Sequence, residues 1–476
     1  MTRPASEPAD FSALPLPPAQ LANLAQLGFE RMTPVQAASL PPALAGQDLI
    51  AQAQTGSGKT AAFGLALLQR LQPERSDVQG LVLCPTRELA EQVAQELRRL
   101  ARAMANVKIL VLTGGAPLRP QADSLAHGAH LVVGTPGRVL DHLDRGTLQL
   151  AGLACLVLDE ADRMLDMGFV DDIAKVVRQC PKSRQTLLFS ATYPEGIAEL
   201  AARFLRQPQR IQVQAEAGSA ATDTPAQIRQ IAYEVSDSQR LPAVAQALLH
   251  FRPDSTLAFC NTRQQCRDLV ELLQAQGIVA LALHGELEQR ERDQVLIQFA
   301  NRSCSVLVAT DVAARGLDIN QLECVINVDI SPDAEVHVHR IGRTGRAGAE
   351  GLALSLASLD EMGRIGRIEQ ALGLELPWQP LDSLVPTAGP RLLPAMDTLQ
   401  ILGGRKDKIR PGDILGALTG AAGFAAAQIG KIHITDFHSY VAVERSLAHE
   451  AVKRLSAGTL KGRKVKVRRV ADLPPA

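Results

Sequence analysis

The chain reads as α/β, with two tandem doubly wound parallel-sheet domains followed by a small α+β module in βαββαβ order. Three observations predict this. Short apolar runs such as Cys155-Leu156-Val157-Leu158 recur through residues 49–213, each followed by a helical pattern. Runs of that kind are strands covered by helices on both faces, and their repetition requires parallel strands joined by crossover helices. A second series of the same units begins at Ile228. From Met396 the rhythm changes to strand 398–402, helix 411–419, strands 431–434 and 439–443, helix 446–455 and strand 464–468, which is the split βαβ order.

At 476 residues the chain exceeds one core and suits two or three domains. Composition places a flexible tail at 1–18, a first domain at 19–213 and a linker of Ala, Gly, Ser and Thr at 214–226. A second domain comes next at 227–376, then a stiff proline-rich spacer at 377–395 and the terminal module at 396–476. Formal charge is zero, but residues 396–476 carry 14 Lys and Arg against 7 Asp and Glu, and the rest carry 36 against 43. A basic appendage on an acidic body suits a polyanionic partner. Seven dispersed cysteines without a C-x-x-C pair argue against disulfides and a structural zinc site, and for a reducing compartment. The first residues lack an apolar leader, and no stretch approaches ~18 apolar residues, so a cytoplasmic protein without membrane contact is expected.

Taken in order, Phe11 is the one aromatic in the tail, and a helix from Pro18 places Leu21, Leu24 and Leu27 on one face. In the segment from Phe29 to Gln36, Thr33 caps a helix with Pro34 in its first turn, which leaves Gln36 for another role. A strand at 48–52 runs into Ala53-Gln54-Thr55-Gly56-Ser57-Gly58-Lys59-Thr60 and a helix carrying Phe63, Leu67 and Leu71. This is a phosphate-binding loop in its strand-turn-helix context: backbone N–H groups and the helix dipole face phosphates, Lys59 adds a point charge, and Thr60 can ligate Mg²⁺. Ala53 stands where the common pattern has glycine.

Further strands end in Pro85-Thr86-Arg87, Thr113-Gly114-Gly115 and Gly134-Thr135-Pro136-Gly137-Arg138. Three such endings on one sheet edge let a sugar-phosphate backbone approach main chain, threonine and arginine closely. The strand at 155–158 ends in Asp159-Glu160, with Asp162 beyond. Carboxylates at the carboxyl end of a parallel strand are placed to hold a metal or orient a water. The strand at 186–189 ends in Ser190-Ala191-Thr192. In the second domain the strand ends are Asn261-Thr262-Arg263, His284-Gly285 and Thr310-Asp311, and the segment from His339 spaces Arg340, Arg343 and Arg346 three apart between glycines. That spacing predicts a cationic prong aimed at phosphates rather than a packing stripe.

These motifs, all in one order on tandem α/β domains, resemble the DEAD-box RNA helicases over residues 11–370. The tail resembles the RNA-binding domain of their DbpA subfamily through Gly404-Arg405-Lys406, the run from Arg410 to Leu418, Ile429-Gly430-Lys431-Ile432 and Ser439-Tyr440-Val441-Ala442-Val443. The resemblance implies RecA-like helicase domains, an RRM-like tail, and ATP with Mg²⁺ as cofactors. Gln36, with Arg31 in the same segment, would read adenine while Phe11 stacks on it. Residues 53–60 would hold the phosphates, Thr60 and Asp159 the metal, and Glu160 the attacking water. Asp318 would reach the ribose, and Arg343 and Arg346 the γ-phosphate, so that hydrolysis requires the two domains to close. Asp162, Ser190, Thr192 and His339 would couple nucleotide state to RNA grip. Pro85, Thr86, Arg87, Gly114, Gly115, Thr135, Gly137, Arg138, Arg263, Thr310 and Arg315 would bind one RNA strand by its backbone, without base specificity.

Ordinary RNA-recognition modules stack bases on aromatics of their central strands. Here the first strand has none and the third offers only Tyr440, which favours a basic surface of Arg405, Lys406, Lys408, Arg410 and residues 461–466. The expected activity is RNA-stimulated ATP hydrolysis with local unwinding of structured RNA, by subfamily resemblance large-subunit ribosomal RNA during ribosome assembly, by a monomer. An ATP-gated RNA clamp with little strand displacement fits the same motifs, and a DNA-directed translocase fits them less well.

Overall fold

In the computed structural model, the described residues are 10–53, 56–193, 195–212, 228–314, 322–345, 350–387, 392–420 and 422–472. They fall into two units, one built on the first sheet, the other on the second sheet and the C-terminal module. Gln54, Thr55, Arg315, Asp318 and Arg346 lie outside the described residues.

The first unit holds strands β1 (Leu49–Gln52), β2 (Gly80–Leu83), β3 (Ile109–Leu112), β4 (Leu131–Gly134), β5 (Cys155–Leu158), β6 (Gln185–Ser190) and β7 (Gln209–Gln212). All pairings are parallel and the order is β3-β4-β2-β5-β6-β1-β7. Side chains alternate along each strand. Ala51, Val82, Val133, Val157 and Phe189 enter one core, while Ile50, Leu81, Val132, Leu156 and Leu188 enter the core on the other face. This explains why the strands read as unbroken apolar runs rather than alternating ones.

The tail is shorter than its composition predicts. Phe11, Leu14 and Leu16 are buried in the first core, and Asp10 pairs with Arg31 in an isolated bridge, so the loose segment does not extend to residue 18. Three apolar side chains spaced through a proline-rich stretch are enough to pin it.

The second unit repeats the plan with β8 (Ile228–Glu234), β9 (Thr256–Cys260), β10 (Ala280–Leu283), β11 (Val306–Thr310), β12 (Cys324–Asn327), β13 (Gly351–Ala357) and β14 (Trp378–Gln379), ordered β10-β11-β9-β12-β13-β8-β14. Strand β14 and residues 380–387 correct the expected spacer at 377–395. Residues 378 and 379 pair with β8, Leu384 is buried in the core, and Thr387 N donates to Leu249 O at 3.1 Å. Prolines there end secondary structure without freeing the chain.

The C-terminal module contains β15 (Met396–Leu402), β16 (Ile429–Ile434), β17 (His438–Glu444) and β18 (Val467–Arg469), with helices Pro411–Thr419 and Ala448–Ala457. The antiparallel order β16-β17-β15-β18 confirms the βαββαβ reading. Leu399, Ile401, Val441 and Val443 face the helices. The opposite face is covered too: Asn301 Nδ2 donates to Thr398 Oγ1 at 3.1 Å, Ser303 Oγ pairs with the same hydroxyl, and Met396 N donates to Arg302 O at 3.3 Å. The module is therefore docked on the loop before β11. Among the described residues no helix is long and apolar enough to cross a membrane.

Candidate functional site

Strand β1 delivers the chain into the phosphate loop, where Gly56 (φ +84°) and Gly58 (φ +91°) take left-handed conformations that only glycine adopts freely. A side chain at Gly58 would collide with the Gln36 amide. Lys59 opens the helix Lys59–Gln69, is 6% exposed, and donates from Nζ to Ala53 O at 2.9 Å. The expected cap is present and does more than cap. Thr33 N donates to Gln36 Oε1 at 2.9 Å, Gln36 Nε2 donates to Gly58 O at 3.1 Å, and Thr33 Oγ1 donates to Ser57 O at 2.7 Å. An amide has two acceptor lone pairs and two N–H donors, so among the described residues one of each on Gln36, which is 1% exposed, stays unfilled.

The Phe11 ring is 3% exposed and meets Phe29 edge to face, centroids 6.1 Å apart, which ties residue 11 to the Gln36 segment. Arg31 is exposed beside it.

At the end of β5, Asp159 is buried and its Oδ1 has no partner among the described residues. Burial pushes its carboxyl up to about 7, against the pull of Lys59 and with the Glu160 charge adding to the rise. A desolvated carboxylate oxygen without a hydrogen-bond partner among the described residues fits a hard cation that takes one carboxylate and completes its shell with water and phosphate. Glu160 sits at φ +53°, a sparsely populated conformation for a residue with a side chain. Its Oε2 accepts from Arg163 Nη1 at 2.8 Å. No motif singles out Arg163. Its signal is the i,i+3 spacing that lets a helix pair opposite charges.

Asp162 is joined to the segment after β6. Its Oδ2 accepts from Ala191 N (3.0 Å), Thr192 N (2.9 Å) and Thr192 Oγ1 (3.1 Å). Thr192 thus makes the expected link. Ser190 does not: its Oγ has no partner among the described residues. Gln52 Nε2 donates to Ala191 O at 3.4 Å, tying the end of β1 to the same segment.

The strand order sorts the carboxyl edge into two halves. Strands β5, β6 and β1 are neighbours and carry Asp159, Glu160, Ser190, Thr192 and the phosphate loop. Strands β3, β4 and β2 are neighbours and carry Gly114, Gly115, Thr135, Gly137, Arg138, Pro85, Thr86 and Arg87. Thr86 caps the helix Arg87–Leu100, and the Arg87 guanidinium lies against Gly114 and Gly115 so closely that a Cβ on Gly115 would overlap it. Arg138 Nη1 donates to Ala116 O at 3.0 Å and to Gln121 Oε1 at 3.1 Å. The second domain repeats the grouping: Arg263 follows β9, Thr310 ends β11 and His284 follows β10, all neighbours in the sheet. Arg263 is exposed but already paired with Glu286 at 2.8 Å.

The arginine prong is corrected at its first member. Arg340 is 2% exposed, pairs bidentately with Asp311 (2.7 Å to each oxygen), donates to Asp329 O at 2.7 Å and stacks over Phe259. It is a core cross-link between β11, β12 and the helix Ala334–Ile341. Arg343 is 7% exposed, and His339 is half-buried. In the tail, Arg405, Lys406, Lys408 and Arg410 are all exposed. Lys461 instead donates to Lys408 O at 2.6 Å and pairs with Asp413 at 3.1 Å, bracing that loop.

Comparison with known families and proteins agrees with this architecture. The DEAD/DEAH box helicase model matches residues 33–200, the helicase conserved C-terminal domain 239–348 and the DbpA RNA binding domain 398–469. The chain is 54% identical over 455 residues to the ATP-dependent RNA helicase DbpA of Escherichia coli, covering 95% of this chain and 97% of that one. It is 45% identical over 334 residues to the DEAD-box ATP-dependent RNA helicase CshA of Bacillus cereus, covering 70% of this chain and 62% of that one. Among solved structures, S. cerevisiae Dbp5 bound to RNA and ADP BeF3 is similar with a TM-score of 0.70 and 29% identity, over 79% of this chain and 96% of that one. By these three domain matches and the full-length relative, the chain belongs to the DbpA-like DEAD-box ATP-dependent RNA helicases.

Proposed function

We propose that this helicase opens short structured RNA duplexes locally, with Mg²⁺ as its metal, and that its target is large-subunit ribosomal RNA during ribosome assembly. The observation that supports the reading is the grouping of strand ends on one sheet edge: β5, β6 and β1 carry the carboxylates and the phosphate loop, and β3, β4 and β2 carry the Gly, Thr and Arg endings. The bonds from Asp162 to Thr192 join the segments after β5 and β6, beside the strand that leads into the phosphate loop, which supports a role in sensing phosphate occupancy.

In this reading Lys59 and the N–H groups of the phosphate loop bind the terminal phosphates, while Gln36 uses its remaining donor and acceptor on adenine. Asp159 and Thr60 hold Mg²⁺, which when bound neutralises charge on the phosphates. Glu160 orients the attacking water. Arg343 and Arg346 supply cations to the transferring phosphoryl group, a role typically worth about 10³ to 10⁵ in rate. The strand ends bearing Arg87, Gly115 and Arg138 grip the RNA backbone, and the exposed basic residues of the tail choose the RNA.

The test is displacement of a short tailed duplex. ATP-dependent release of the strand is expected. ATP-dependent binding without release would make the protein a clamp. Cross-linking to cellular RNA followed by sequencing tests the ribosomal target, which fails if the recovered fragments are spread evenly over the transcriptome.

A further inference from the structure

The sheet face that RNA-recognition modules use for base stacking is spent in this protein. Thr398 and Gln400 of β15 lie beside Ala442 and Tyr440 of β17 on the face turned from the helices, and none is more than 5% exposed. Gln400 Nε2 donates to Tyr440 Oη at 3.0 Å, and Arg468 Nε donates to Gln400 Oε1 at 2.9 Å. With Thr398 bonded to Asn301, no base can reach Tyr440 on this face.

An aromatic is exposed elsewhere on the module. Phe437, in the connection between β16 and β17, is 59% exposed, and Lys406 Nζ lies 4.3 Å from its ring centroid. Arg405 lies 3.5 Å from Asp436. The two loops that carry these residues are zipped together. Gly403 N donates to Phe437 O (3.0 Å), Arg405 N to Thr435 O (2.8 Å), Lys406 N to Asp436 O (3.0 Å) and Ser439 Oγ to Gly403 O (2.7 Å). Gly404 packs so tightly on Thr435 and Asp436 that a Cβ would overlap their backbone. The exposed ring and its cations are therefore held on a rigid edge, so little ordering opposes ligand binding.

We infer that Phe437, Lys406 and Arg405 form a nucleotide subsite in which an unpaired base of the RNA stacks on the Phe437 ring and its flanking phosphates lie against the two cations. An exposed aromatic flanked by cations is the arrangement that single-stranded nucleic acid rewards, because every base has a π-face and every linkage a negative charge. A duplex, whose bases are already stacked, gains nothing from the ring. The subsite therefore favours loops, bulges and frayed ends. The inference rests on the reading that the tail chooses the RNA.

The test measures binding of the full chain, without nucleotide, to a labelled RNA hairpin with an unpaired loop and to a blunt duplex of equal length. Phe437→Leu keeps an apolar side chain but no ring, and should lose roughly tenfold in hairpin affinity. Phe437→Tyr should bind as the parent does. Lys406→Ala should lower the salt dependence of binding by about one ion. Phe437→Trp in a Trp378→Phe background should show fluorescence quenching on hairpin addition and none with the duplex. Because the ring is exposed, thermal melting should be unchanged in each variant, which separates binding from folding. Unchanged hairpin affinity in Phe437→Leu overturns the proposal, whether the ring then serves a protein contact or none. If removing residues 396–476 leaves RNA choice intact, the reading of the tail fails; if it abolishes choice while Phe437→Leu does not, only the subsite fails.

Discussion

Arg163 Nη1 lies 2.8 Å from Glu160 Oε2, and both side chains are less than a tenth exposed. The left-handed turn at Glu160 ends β5 and at once starts the helix Ala161–Asp166, whose i+3 position supplies the cation. The Glu160 carboxylate is thereby paired and held in one orientation rather than left to rotate.

Glu160→Gln should reduce RNA-stimulated ATP turnover by roughly 10² to 10⁴, the range for removing a group that handles a proton in the transition state. Binding of ATP and RNA should persist, because the amide keeps the shape and an acceptor for Arg163. Steady-state hydrolysis alongside binding of a fluorescent nucleotide checks this. Retention of most of the turnover would remove Glu160 from the water-positioning role.

Arg163→Ala leaves a buried charge unpaired and should destabilise the first domain by about 3 to 5 kcal/mol, whereas Arg163→Met combined with Glu160→Gln should recover most of that loss. Urea unfolding of the single and double variants measures both. An additive outcome would show that the pair is not coupled.

Arg340 and Arg343, three residues apart, should fail differently. Arg340→Ala strips Asp311 and Asp329 of their buried partner and should unfold or strongly destabilise the second domain, by roughly 3 to 5 kcal/mol. Arg343→Ala should slow turnover by about 10³ or more at temperatures where the variant remains folded. Melting curves and kcat for the two variants decide it; equal loss of stability would return Arg343 to a packing role.

His337 is fully buried, its Nδ1 lacks a partner among the described residues, and burial lowers its pKa to about 4. The unfolded chain, with a histidine near 6.5, binds the proton first as pH falls. Stability is therefore complete above about 6.5 and declines between about 6.5 and 4 by up to about 1.4 kcal/mol per pH unit. His337→Asn should flatten that stretch of the stability curve in urea titrations. An unchanged slope would assign the acid sensitivity to other groups.

Deleting residues 396–476 uncovers Asn301 and Ser303, which are polar, so domain two should stay folded and basal ATP hydrolysis should continue. Preference among RNAs should disappear. Competition binding between structured and unstructured RNAs, run with and without the tail, checks it.

Much of this site is local and legible as such. The glycines of the phosphate loop, the Thr33 cap, the carboxylates after β5 and the helix boundaries at Pro411–Thr419 follow from short-range sterics, hydrogen bonding and periodicity. The features that escape a sequence reading have long-range partners. Arg340 and Arg343 are indistinguishable by spacing, yet one meets Asp311 in the core. The prolines after Trp378 read as a spacer until β8 pairs with that strand, and Phe11 reads as a free ring until Phe29 and the first core close on it.

From its own residues the chain determined that it would build two doubly wound α/β domains and a basic split-βαβ tail, because apolar periodicity and turn chemistry are written within a few residues of where they act. Only the tertiary structure decided which strand ends stand together. The order β3-β4-β2-β5-β6-β1 is set by crossovers between distant segments, and it is that order which separates the Gly, Thr and Arg strand ends from the phosphate loop and the carboxylates. The same holds for the covered sheet face of the tail, where a hydrogen bond joins Asn301 and Thr398, 97 positions apart, while Phe437 stands exposed at another edge of the module.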